Sequence, residues 1–194
     1  MIPYSSSELL AVALAASFAA GLNVYATIAT LGLLAHAHAF PLPPALHLLE
    51  SWPIIVASVL LFILEFIADK IPLFDLFWNA LSTFVKVPVA ALLSFGATQH
   101  LSPGMQAASA ALGGVIALLV HGSKLAARTA VTPSPEPFSN IALSFGEDIA
   151  AISITWFATR HPIAAGTVVA VCLLLCILAI RWSIRALRRM FRQV

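Results

Sequence analysis

Residues 72–100 read PLFDLFWNALSTFVKVPVAALLSFGATQH, and residues 133–161 read PSPEPFSNIALSFGEDIAAISITWFATRH. The two align without a gap at an offset of 61 residues. Identical pairs are Pro72/Pro133, Phe77/Phe138, Asn79/Asn140, Phe84/Phe145, Ala90/Ala151, Ala97/Ala158, Thr98/Thr159 and His100/His161. Asp75/Glu136, Thr83/Ser144, Ser94/Thr155 and Phe95/Trp156 are close substitutions, while Lys86/Glu147 reverses charge. The echo extends upstream with a two-residue shift, setting Glu65 against Lys124 and Asp69 against Arg128. The repeated unit is therefore read as a helix pair, 52–100 and 111–161, with an unduplicated helix at each end.

Within each copy the polar residues follow helical spacing. Asp75, Asn79, Thr83 and Lys86 fall within roughly an 80° arc of one face, and Glu136, Asn140, Ser144 and Glu147 repeat it. Small residues continue the face: Ala90, Ser94 and Ala97 in one copy, Ala151, Thr155 and Ala158 in the other. Small and hydroxyl side chains let helices approach closely and hydrogen-bond across the contact. Both stripes are expected to face a bundle interior, with Phe77, Phe84 and Leu92 facing away.

The solvent for most of this chain is lipid. Hydrophobic residues make up 61% and charged residues 9%, with a mean hydropathy of +0.99; an average soluble domain is about a quarter charged. Residues 9–49 contain no Asp, Glu, Lys or Arg, and neither do residues 163–180. Either run is long enough for a transmembrane helix of about 20 residues. The N-terminus lacks the basic region of a cleaved signal, so its first apolar segment reads as a retained span. Cys172 and Cys176, one turn apart in an apolar run, read as packing residues.

Periodicity and prolines predict an all-α integral membrane protein, a single transmembrane domain over 1–194. Its six membrane-embedded segments are about 9–35, 52–70, 74–99, 105–127, 137–160 and 163–184. Arg181, Arg185, Arg188, Arg189 and Arg192 make up half the Lys and Arg of the chain. They mark 181–194 as a basic cytoplasmic tail, an amphipathic lipid-binding helix against anionic head groups. Six full spans then put the N-terminus in the cytoplasm too. A rival topology makes 74–99 and 137–160 re-entrant hairpins with tips near Lys86 and Glu147.

Lys86 and Glu147 are the strongest functional candidates, because an ionisable residue at mid-membrane depth is costly unless paired or hydrated. Their opposite signs predict a joint site between the repeats, and Asp148 beside Glu147 suits proton coupling. The substrate or ion pathway is accordingly assigned to Asn79, Thr83, Lys86, Asn140, Ser144, Glu147 and Asp148. Glu65, Asp69, Lys124 and Arg128 are read as helix-end charges closing one mouth of that path. Asp75 and Glu136 stand where N-caps belong. Asn23, Thr27 and Thr30 put one polar face on the first helix, towards the repeats. His36, His38 and His47 are too loosely spaced for a metal site, and no nucleophile–base pattern marks an enzyme. Neither a cofactor nor a nucleic-acid partner is expected; the expected partners are membrane lipids, an unidentified small molecule, ion or lipid substrate, and a second copy of the chain.

The strings GLNVYATIATLGLL, EFIADKIP, HGSKLAARTA and SPEPFSNIALSFGED resemble the signature segments of the bacterial membrane family called domain of unknown function 4126. The resemblance implies a multi-pass inner-membrane protein and leaves its activity open. A looser architectural likeness is to DedA-like carriers of lipid-linked phosphate, which use paired re-entrant hairpins and buried charges. The reading that unites duplication, matched stripes and mid-depth charges is a small transporter or channel, proton-coupled and moving an anion or lipid-linked phosphate. The alternative is an accessory membrane protein whose polar residues serve helix packing.

Overall fold

The computed structural model describes the backbone of residues 4–69, 72–131 and 137–191, and the side chains of 4–69, 78–79, 81–124 and 141–185. Those residues form six α-helices and one short 3-10 helix. The α-helices are α1 (Ser6–His36), α2 (Trp52–Ala68), α3 (Pro72–Ala97), α4 (Pro103–Val131), α5 (Pro137–Arg160) and α6 (Pro162–Phe191), with the 3-10 helix Pro44–Glu50 between α1 and α2. The starts follow from local chemistry. α3, α4, α5 and α6 each begin on proline, whose fixed φ and missing N–H suit the first helical position. α1 begins with a capping box: Ser5 Oγ accepts from the Glu8 N–H, and the Ser5 N–H donates to Glu8 Oε2 at 2.8 Å.

α1 departs from the single span expected over 9–35. Asn23 is extended inside it, with φ −145° and ψ 105°, and the chain folds back there. A straight helix of 31 residues would be about 46 Å long. Instead the rings of Tyr4 and Phe40, which bracket α1, lie 5.6 Å apart. Val12 of the first arm shares a core cluster with Leu31 and Ala35 of the second, and Ala19 shares another with Ala26. Leu9, Val12 and Ala16 line one small cavity together with Leu31 and Phe40. α1 is thus a helical hairpin with arms 6–22 and 24–36, and its tip at Leu22–Asn23.

Asn23 makes the tip stable. Its Oδ1 accepts the Ala26 N–H at 2.9 Å, so it caps the second arm, while Thr27 Oγ1 donates to its carbonyl at 2.8 Å. Tyr4 Oη donates to the Thr159 carbonyl at 3.0 Å and ties the other end of the hairpin to the end of α5. Burial, reinforced by the Glu8 charge and opposed by Arg160, holds the Tyr4 phenol above its ordinary pKa.

The hairpin is the centre of the molecule, and all five other α-helices pack against it. The bundle is inverted relative to a soluble core. Ser17, Thr27, Lys86, Thr98 and Ser144 are fully buried, while Leu60, Phe84, Leu92 and Leu174 are more than half exposed. Such an apolar exterior around polar contacts is what lipid as solvent selects. By length and composition α1 (its two arms taken together), α4, α5 and α6 are apolar enough to cross a membrane, with a fifth if the 3-10 helix and α2, bent by 66°, count as one. The chain therefore fits a multi-pass membrane protein. These four or five stretches among the described residues fall short of the six spans expected.

The segments read as candidate re-entrant hairpins are helical at their expected tips. α3 stays helical through Lys86 and Pro88, and α5 through Gly146 and Asp148. The helix that turns back is α1, because there a side-chain amide replaces the lost backbone partner. α6 continues as helix to Phe191, so the basic tail extends the last span.

Candidate functional site

The tip of the hairpin sits among the buried charges. Breaking α1 at Asn23 frees the Leu22 carbonyl, and Lys86 Nζ of α3 donates to it at 3.3 Å. The same ammonium lies 2.7 Å from Glu65 Oε1 of α2, with side chains 0% and 1% exposed. On the other side of the tip, Asn23 Nδ2 donates to Asp148 Oδ1 of α5 at 2.8 Å. Adjacent residues of one turn are therefore held by a cation from α3 and a carboxylate from α5.

A second ion cluster lies beside the first. Lys124 of α4 lies 2.7 Å from Glu147 Oε2 of α5 and 3.5 Å from Asp69 Oδ2. Ser144 Oγ, one turn before Asp148, donates to that same Asp69 oxygen at 2.7 Å. Glu147 is the most open member of this cluster, with its side chain 15% exposed. It borders a shallow cavity of about 290 Å³ lined by Leu22, Ser123, Lys124, Leu175, Cys176 and Ala179. The cavity walls come from α1, α4, α5 and α6.

The expected pairing changes. Lys86 and Glu147 are not partners: each takes its counter-charge from a residue assigned to a gate, Lys86 from Glu65 and Glu147 from Lys124. Glu65, Asp69 and Lys124, read as helix-end charges, are buried and lie beside Lys86 and Glu147. The reason is the hairpin: its tip contacts Lys86 and Asp148, and Glu65 near the end of α2 pairs with that same Lys86.

Asn79 is buried on α3, and its carbonyl accepts from Ser82 Oγ at 3.1 Å and Thr83 Oγ1 at 3.0 Å. The side chains of Asp75, Arg128, Glu136 and Asn140 lie outside the described residues, as do those of Arg188, Arg189 and Arg192. Arg181 and Arg185 are exposed on α6. Asn23 was assigned only to a packing face, and its role at the tip was missed. One signal was available: residues 9–49 form a charge-free run about twice as long as one span needs, with Gly21 and Asn23 inside it.

Positions 61 apart on α3 and α5 share their environment. Ala90 and Ala151 are fully buried, Ser94 and Thr155 are each 1% exposed, and Thr98 and Thr159 are buried. Phe84 and Phe145 face outward, as do Phe95 and Trp156. Among the described residues no three His, Cys, Asp or Glu side chains converge as metal ligands. His36 Nδ1 lies 3.1 Å from the Glu50 carbonyl and His47 Nε2 lies 3.0 Å from the Leu42 carbonyl, so both rings serve the connecting loop.

The profile of a family described as Domain of unknown function (DUF4126) matches residues 10–182, which include the hairpin, both ion clusters and the apolar part of α6. The chain belongs to the DUF4126 family. No curated protein and no solved structure matches it. The function of this DUF4126 protein is accordingly argued from its site.

Proposed function

We propose that the protein is a small membrane transporter, with a path along the polar faces of α3 and α5 that meets the tip of the α1 hairpin. The observation that carries this reading is the contact of a broken helix with buried charges: Lys86 on the Leu22 carbonyl and Asp148 on the Asn23 amide. Irregular backbone at membrane depth is tolerated only where protein or a cavity satisfies it, and transporters use such broken helices to hold ions and substrates. Lys86 and Lys124 supply cationic groups suited to an anion or lipid-linked phosphate, while the carboxylates suit a coupled proton. The matched burial at positions 61 apart favours an internal duplication of 52–100 and 111–161.

The topology that goes with this reading has α2 to α6 crossing the bilayer and α1 dipping in and returning. The arginines of α6 put the C-terminus in the cytoplasm of a bacterial inner membrane. Both ends of α1 then lie on the opposite face, so the N-terminus is not cytoplasmic as six full spans would require. Anionic lipids at the α6 end and a second copy against its apolar face are the partners this arrangement favours, with no catalytic role for any residue.

A second reading has its own support. Thr27, Thr98 and Thr155 donate to carbonyls of their own helices, and Ser94 bonds Ser109 across to α4; such bonds serve packing in an accessory protein as well. The test is flux. Proteoliposomes containing the protein and a pH-sensitive dye are given inorganic phosphate or a polyprenyl phosphate, with or without a pH gradient. The transport reading expects dye response or phosphate uptake that Glu147→Gln and Lys86→Met reduce at least tenfold. Equal rates in protein-free liposomes favour the packing reading.

A further inference from the structure

Glu65 and Asp148 are unevenly served by their neighbours. Glu65 is fully buried and Asp148 is 94% buried, with 6% exposure. Each has one oxygen engaged: Glu65 Oε1 with Lys86 Nζ, and Asp148 Oδ1 with Asn23 Nδ2. Their other oxygens, Glu65 Oε2 and Asp148 Oδ2, are buried without a hydrogen-bond partner. A buried acceptor left this way keeps its full desolvation cost, which is larger when it carries charge. Two such acceptors beside one helix break are an unexplained cost for a purely structural site.

The charges point the same way. Of the ammonium groups that touch these two carboxylates among the described residues, there is one, Lys86. It is already shared with the Leu22 carbonyl, and the two helix ends that meet at the tip, the C-terminus of the first arm and the N-terminus of the second, offset each other. Two carboxylates around a single ammonium leave room for one more positive charge. In a low-dielectric interior that charge is not optional for long, since an uncompensated buried carboxylate is strongly unfavourable.

We propose that the hairpin tip is a binding site for one exchangeable monovalent cation, a proton or a sodium-sized alkali ion, held by Asp148 and Glu65 beside the Leu22–Asn23 break. Lys86 is the tethered occupant of half of this site, and the exchangeable cation fills the other half. The charged and titratable groups around it are Tyr25 on α1, Asp69 after α2, Lys86 on α3, Lys124 on α4 and Glu147 on α5; His121 precedes Lys124 by three residues on α4. Lys124 lies against Asp69 and Glu147, while Glu65 Oε2 and Asp148 Oδ2 are the oxygens left for the exchangeable cation. The site names the coupling ion of the carrier proposed above and rests on that reading for its purpose; its existence is an equilibrium property that needs no substrate.

The experiment measures thermal unfolding of the full-length protein in a neutral detergent. Sodium, potassium or choline is the sole cation at constant ionic strength, and pH runs from mildly acidic to mildly alkaline. The wild type is expected to gain about 3 °C in Tm, either on acidification in choline, which identifies a proton, or on replacing choline by sodium at fixed pH, which identifies an alkali ion. Asp148→Asn is expected to lose that response while keeping its helical circular dichroism. A wild-type Tm indifferent to both pH and cation overturns the site, and so does a full response in Asp148→Asn. If Asp148→Asn does not fold, infrared spectroscopy of the wild type decides. A buried carboxylic-acid C=O band must disappear on raising pH, or the carboxylate bands must shift with sodium; unchanged spectra overturn the proposal. Failure here with intact phosphate flux would leave the carrier reading standing without this ion site.

Discussion

Lys86 Nζ lies 2.7 Å from Glu65 Oε1 in an interior that shields both side chains from solvent. Their helices, α3 and α2, have few other contacts, so this ion pair is a principal tie between them. The same ammonium holds the Leu22 carbonyl. One cation therefore joins α1, α2 and α3.

Removing one member of that pair strands the other. Lys86→Met or Glu65→Gln alone is expected to cost about 3–5 kcal/mol, since it leaves an uncompensated buried charge. The double variant Lys86→Met/Glu65→Gln should recover much of this loss, because two neutral groups of similar volume carry no such penalty. Unfolding of the four proteins in detergent measures the cycle. Additive losses would mean that the pair is not coupled.

Asn23 has two jobs at the tip, capping the second arm and donating to Asp148. Asn23→Ala removes both and is expected to destabilise by about 2 kcal/mol or more. Asn23→Asp keeps the cap but sets a second carboxylate against Asp148. It should therefore be stable only at acidic pH, where one of the two acids is neutral. A Tm of Asn23→Asp that matched the wild type at alkaline pH would refute the contact.

The hairpin makes a covalent prediction. With Cys172 and Cys176 replaced by serine, the pair Tyr4→Cys and Phe40→Cys should be bridged by a short bis-maleimide, because the parent rings are 5.6 Å apart. A straight α1 would hold the two positions on opposite faces of the membrane, with no cross-link. Ser7→Cys and Ala37→Cys should likewise react with an impermeant maleimide added from the same side.

Much of this arrangement was written in the sequence, and what was not has a physical reason. The lipid-facing and interior faces of α3 and α5 follow from side-chain spacing alone, because a continuous helix converts sequence interval directly into angle. Prolines likewise mark the starts of α3 to α6. Charge pairing was not legible. Lys86 and Glu147 share a register in the aligned copies, but partners are chosen by proximity in space, and α2 and α4 bring Glu65 and Lys124 nearer. The fold-back of α1 was hidden for a different reason. Both arms are apolar and rich in alanine, so no polar periodicity changes phase at Asn23, and a single asparagine looks the same on a face as at a break.

Close approach of helices gives the last prediction. α4 runs so near α1 and α3 that a Cβ on Gly113 would lie 2.7 Å from both Ser17 Oγ and Ser94 Cβ, and 3.0 Å from the Ala90 carbonyl. On Gly21, beside the hairpin tip, it would lie 2.8 Å from Val120 Cβ and 2.9 Å from Ala117 Cα. These neighbours are short side chains and backbone, which cannot move aside. Gly113→Ala and Gly21→Ala are each expected to cost about 1–3 kcal/mol through overpacking, despite the higher helix propensity of alanine. Gly104 and Gly146 have open space where a Cβ would go, so Gly104→Ala and Gly146→Ala should be neutral or stabilising by up to about 1 kcal/mol. Melting temperatures of the four variants test the packing of α1, α3 and α4 directly. The same sign of change at Gly113 and Gly146 would refute it.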